Sequence, residues 1–144
     1  MKTCAPEDSL SEAARIMWEA DLGCLPVVDE ERRVIAMITD RDICMAAYTR
    51  GLALRDLRVY SAMSDEVVAC RPDNSLADVE RMMAKAQVRR IPVIDRDRRL
   101  VGIISLADIA TEAQPIKIPL TAPGVARTLA SITERRWAGA LAAG

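Results

Sequence analysis

The sequence predicts an α/β fold built from one small unit written twice, and three observations predict it. A constant offset of 66 residues pairs Pro6 with Pro72, Ser9 with Ser75, Leu10 with Leu76, Met17 with Met83, Pro26 with Pro92, Asp29 with Asp95, and Asp42 with Asp108; no gap is needed. Each copy opens on a serine followed three residues later by an acid, then by apolar residues at helical spacing. Each then carries two β-branched runs divided by a charged turn, which reads as a hairpin.

In the first copy Ser9 and Glu12 form a capping-box pattern ahead of Ala13, Ile16, Met17 and Ala20, so SLSEAARIMWEA reads as a helix. Ser75 and Asp78 repeat the pattern in SLADVERMMAKA. LPVVD and IPVID begin at or beside a proline and suit strand starts. VIAMI and LVGII are the second strands, and Arg32–Arg33 and Arg98–Arg99 lie in the turns before them. Thr39 and Ser105 then stand where a helix N-cap belongs, so DRDICMAAYT and LADIATEA read as helices. The first ends near Gly51 and the second before Pro115. Neither half covers its small sheet alone, so the two are expected to pack about a pseudo-twofold axis around one central cleft.

At 144 residues the chain suits one compact domain or two half-domains sharing a core, large enough to bury roughly 68–70% of its unfolded surface. Although 51% of residues are hydrophobic, no apolar run approaches the roughly 20 residues of a membrane span. MKTCAPEDSL turns polar where a secretory leader would be apolar, so a cytoplasmic location without membrane attachment is expected. Twenty basic against twenty-one acidic residues, with two Trp, two Tyr and no Phe, argue against a nucleic-acid platform. The basic run at 95–99 reads as a solvated turn.

The four cysteines form no C-x-x-C pair and the chain has no histidine. Zinc is therefore not expected, nor is cysteine–histidine or serine–histidine catalysis. Buried free thiols are the expectation for all four. Met17, Met37, Met82 and Met83 fall on core-facing stripes as gap fillers.

Three segments recur: the T/A-C-x-P-x-x-S-L openings at 3–10 and 69–76, the h-P-V-h-D strands at 25–29 and 91–95, and the G-h-h-[TS]-x-x-D-h ending at 102–109. The last is repeated at 36–43 with Ala36 in place of Gly102. Together they resemble a tandem pair of CBS domains, the Bateman module. The resemblance implies repeat 1 over 1–51, a linker and lead-in over 52–66, repeat 2 over 67–114, and an extension over 115–144. In that extension PIKIPLTAP is expected to be extended, and Val125, Leu129 and Ile132 lie at helical spacing. The first copy begins at the equivalent of Val67, so a lead-in matching Val59–Glu66 is expected to be missing.

A strand ending in Thr39 or Ser105 and turning into a helix points free N–H groups and a positive dipole end outward, which suits phosphate. Asp42 or Asp108 lies one helical turn on, as an acceptor for ribose hydroxyls. The same pattern is also an ordinary helix cap. The resemblance implies an adenosyl ligand, with slot walls from Thr3, Cys4, Cys24, Leu25 and Pro26 in one half and Ala69, Cys70, Arg90, Ile91 and Pro92 in the other. Arg41, Arg89 and Arg90 are candidate phosphate ligands.

The expected function is a regulatory module that binds AMP, ADP, ATP, NAD or S-adenosylmethionine, with no required cofactor and no chemistry of its own. It would report the ligand by conformational change to a partner protein or to a further part of the polypeptide. The alternative is a ligand-free dimerisation domain of the same fold. A homodimer is expected on either reading, because Ile43, Ala46, Ala47, Ile109 and Ala110 exceed what a thin core should cover.

Overall fold

A computed structural model describes residues 1–112 and 122–133. Its elements are α1 (Leu10–Glu19), β1 (Cys24–Val28), β2 (Val34–Thr39), α2 (Asp40–Arg50), α3 (Leu76–Ala86), β3 (Arg90–Ile94), β4 (Leu100–Ser105), α4 (Leu106–Glu112) and α5 (Ala122–Thr133). Two 3₁₀ turns, Leu54–Asp56 and Val59–Ser61, lie between α2 and α3. β1 pairs with β2 and β3 with β4 in separate two-stranded sheets. The chain divides into two compact units, Met1–Ala69 with Ile94–Gly102, and Cys70–Val93 with Ile103–Gly144.

In the first unit β1 and β2 run antiparallel, with Cys24 opposite Thr39, Pro26 opposite Met37 and Val27 opposite Ala36. A bulge follows between Val27 and Val28. Pro26 is the third strand residue and not the first, and the pairing explains why it is tolerated. Its carbonyl faces away from β2 and accepts from the Cys4 amide at 3.1 Å, while Val28 donates to the Cys4 carbonyl at 2.9 Å. The proline's missing N–H therefore lies on the side away from the β2 ladder. Cys70 donates to Pro92 in the same way, at 3.0 Å.

The Asp29 carboxylate accepts from the Arg33 amide at 2.8 Å and closes the turn between β1 and β2, with Arg32 at φ 64°. Asp95 does this for Arg99 at 2.8 Å, and Arg98 again has φ 64°. These arginine side chains are exposed, as expected of a solvated tip. The two turns are nonetheless joined by backbone: Val34 donates to Arg98 O at 2.9 Å and Leu100 to Arg32 O at 3.3 Å.

Leu10, Ala13 and Met17 from α1 meet Leu25, Val27, Ala36 and Ile38 from the sheet and Ile43 and Ala46 from α2 in one buried cluster. Leu57 and Val59 complete it from the following segment, whose backbone is stitched to the start of α1 by Leu10 N to Leu57 O and Val59 N to Asp8 O, both 2.9 Å. In the second unit α5 occupies the corresponding stretch of sequence and packs on α3; the Ser131 hydroxyl donates to Ala84 O at 3.4 Å. Pro123 lies in its first turn, where proline is tolerated because that N–H has no helical acceptor, so the extended run does not reach that far. The rest of that run, 115–121, and the side chain of Val125 lie outside the described residues. Leu129 is exposed and Ile132 half-buried.

Four expectations need correction. Ser9 caps α1 by accepting from Glu12 N at 3.1 Å, but the Glu12 carboxylate does not return the bond; it turns outward to Arg15. Cys44 is exposed while Cys4, Cys24 and Cys70 are buried. One residue past the buried Ile43, it is rotated about 100° off the inward stripe of α2. Ile43, Ala46 and Ile109 are covered within the fold, so they do not argue for a dimer. Met17 and Met83 are buried, but Met37 and Met82 are only half-buried. Among the described residues no helix is long and apolar enough to cross a membrane.

Candidate functional site

Antiparallel pairing brings the end of β2 beside the start of β1, so Thr39 lies opposite Cys24. The first amide of α2, Asp40 N, donates to Gly23 O at 3.2 Å and fixes the helix start to that strand end. Thr39 and Asp42 then close a reciprocal cap. The Thr39 amide and hydroxyl both donate to Asp42 Oδ2, at 2.9 and 2.7 Å, and Asp42 N donates to Thr39 Oγ1 at 3.2 Å. The Asp40 carboxylate accepts from Arg41 N at 2.7 Å.

This geometry changes what the turn offers a ligand. The first three amides of α2 already have acceptors, and the threonine proton is directed at Asp42. Two acids in the first turn supply the negative charge that the helix dipole would otherwise draw from a phosphate. What stays available is Asp42 Oδ1, without a hydrogen-bond partner among the described residues, and the exposed Arg41 guanidinium.

Repeat 2 reproduces the turn in its own unit. Leu106 N donates to Arg89 O at 2.9 Å. The Ser105 amide and hydroxyl donate to Asp108 Oδ2 at 2.8 and 2.6 Å, and Asp108 N returns a bond to Ser105 Oγ at 3.1 Å. The Ser105 hydroxyl, then its amide, hold the Asp108 carboxyl below the usual aspartate range; burial opposes this and the positive Arg90 assists it.

The slot residues are placed as follows. Cys4, Cys24, Leu25 and Pro26 are buried in the first unit, and Cys70, Ile91 and Pro92 in the second. Leu25 and Cys4 belong to the core cluster, while Thr3 and Ala69, the outer residues of the two expected walls, are half-buried. Arg89, Arg90 and Arg41 are exposed. Burial, and secondarily the charge of Asp8, push the Cys4 thiol up to about 12. Sequence reasoning passed over Asp40 and Gly23; the signal for Asp40 was an acid directly after an N-cap threonine. Among the described residues no group of three or more Cys, Asp or Glu is placed to hold a metal ion.

The CBS domain family model matches residues 1–48 and 54–114. The CBS domain-containing protein YhcV of Bacillus subtilis is 39% identical over 110 residues, spanning 75% of each chain. Among solved structures, Hypoxic Response Protein I with two coordinated zinc ions superposes with TM-score 0.71 at 32% identity, covering 77% of this chain and 89% of that one. The CBS domain pair of protein MJ0100, in complex with 5′-methylthioadenosine and S-adenosyl-L-methionine, gives TM-score 0.68 at 27% identity, covering 78% and 88%.

Proposed function

Because the chain belongs to the CBS domain family and carries it as a tandem pair, we propose that it is a regulatory module in which each repeat binds an adenosyl ligand through its Thr/Ser-x-x-Asp turn. The observation that carries this reading is the duplicated turn itself. Thr39–Asp42 and Ser105–Asp108 are both folded back on a strand end, each leaving the second carboxylate oxygen out of the cap. A carboxylate with two lone-pair sites already used keeps two for the hydroxyls of a ribose. A relative at 27% identity is described with two adenosyl compounds bound, which supports this class of ligand.

The module acts in the cytoplasm without chemistry of its own and passes the bound state to a protein partner or a further part of its polypeptide. It works as a homodimer. Trp18 (88% exposed) lines, with Ala14, Met17, Leu22, Ile43 and Leu54, a largely apolar groove of about 410 Å³ that Asp21, Asp40 and Cys44 also edge. Light scattering at tens of micromolar should give twice the chain mass, and a monomer would remove this part of the reading.

A ligand-free assembly role is the competing reading, and the self-satisfied caps favour it, since the turns need no ligand to be stable. A thermal-shift panel of AMP, ADP, ATP, NAD, S-adenosylmethionine and 5′-methylthioadenosine separates the two. At least one should raise the midpoint in a concentration-dependent manner; a flat response to all six supports the assembly role.

A further inference from the structure

Resting on the adenosyl-binding reading, we propose that the two repeats select ligands by charge: repeat 2 takes an adenosyl ligand bearing a 5′ phosphate, and repeat 1 takes one without it. The selection resides not in the helix termini, whose amides are largely occupied, but in the side chains that differ across the 66-residue offset. Around Thr39 stand Asp40, Arg41 and Asp42, with Gly23 and Cys24 on the neighbouring strand end. Around Ser105 the same positions hold Leu106, Ala107 and Asp108, with Arg89 and Arg90. The first set holds two acids and one cation, and the second two cations and one acid.

Three observations support this difference between the repeats. The bond from Leu106 N to Arg89 O ties the two arginines to the start of α4, as Gly23 is tied to α2. Arg90 acts electrostatically on Asp108. Among the described residues, the guanidinium groups of Arg89 and Arg90 have neither a hydrogen-bond nor an ion-pair partner, and both residues are exposed, so no ion pair ties up either cation of repeat 2. In repeat 1 the Asp40 carboxylate accepts from the Arg41 amide at 2.7 Å and also edges the groove that holds Trp18 and Leu22; its negative charge beside the turn would disfavour a phosphate there.

The test is isothermal titration with AMP and with the uncharged 5′-methylthioadenosine, on the full chain and on Arg90→Gln and Asp40→Asn. Asp40→Asn keeps an oxygen to accept from Arg41 N while removing the charge. Arg90→Gln should lower the ratio of AMP to methylthioadenosine affinity by roughly tenfold or more. Asp40→Asn should raise that ratio or add a second AMP site. An unchanged ratio in both variants, with wild-type binding intact, would overturn the charge selection alone. Binding of neither compound to the wild type would overturn the adenosyl reading with it.

Discussion

The Thr39 hydroxyl donates to Asp42 Oδ2 at 2.7 Å while accepting from the Asp42 amide at 3.2 Å. One pair of side chains thus ends β2, starts α2 and leaves one carboxylate oxygen uncommitted. A structural duty and a binding duty fall on the same residues, and each can be measured separately.

The structural duty is tested at the cap. Thr39→Ala removes the acceptor for Asp42 N and the donor to Oδ2, and should cost about 1 kcal/mol. Thr39→Ser keeps both and should cost much less. Urea unfolding of the two variants checks this, with the midpoint moving and the slope staying fixed.

A second consequence concerns acid. The Ser75 hydroxyl, then Arg81, hold the Asp78 carboxyl below its usual range, and Ser105 does the same for Asp108. A depressed folded-state pKa gives stability that is present above the unfolded pKa and lost as pH falls through the folded one. Both carboxylates lie near solvent, so the effect is small. Carboxyl NMR titration should show both midpoints below the ordinary aspartate range, and Ser75→Ala should move that of Asp78 upward while leaving Asp108 in place.

The thiols should divide three to one. Cys4, Cys24 and Cys70 are buried and Cys44 is exposed. In native protein a maleimide should modify Cys44 first, with the other three reacting only after unfolding. Mass spectrometry of limited labelling reads this directly. Early modification of Cys4 would contradict its burial, which also raises its pKa to about 12.

Much of this was legible in the sequence because the repeat states each element twice. Ser75 with Asp78 and Thr39 with Asp42 are local patterns, and local hydrogen bonds realised them. Features that depend on tertiary partners were not legible. Pro26 sits inside a strand because Cys4 pairs on its far edge, which no spacing announces. Glu12 left its cap for Arg15, a choice between two acceptable partners on one helix face. Cys44 lies beside buried residues in sequence but off their stripe. At the candidate site the turns themselves were readable. The occupation of the first α2 amide by Gly23 required the fold, since it depends on where the start of β1 meets the end of β2.

The most direct test of the central claim is calorimetric titration of the wild type, Asp42→Asn and Asp108→Asn with whichever adenosyl compound stabilises the protein most. The amide keeps an oxygen for the Thr39 or Ser105 donors but removes the charged acceptor, and hydrogen bonds to charged groups contribute on the order of 1.5–3 kcal/mol. At least one variant should therefore lose roughly tenfold to hundredfold in affinity while its unfolding midpoint shifts only slightly. Unchanged affinity in both variants, beside clear wild-type binding, would mean that the aspartates serve the caps alone and that the ribose is held elsewhere.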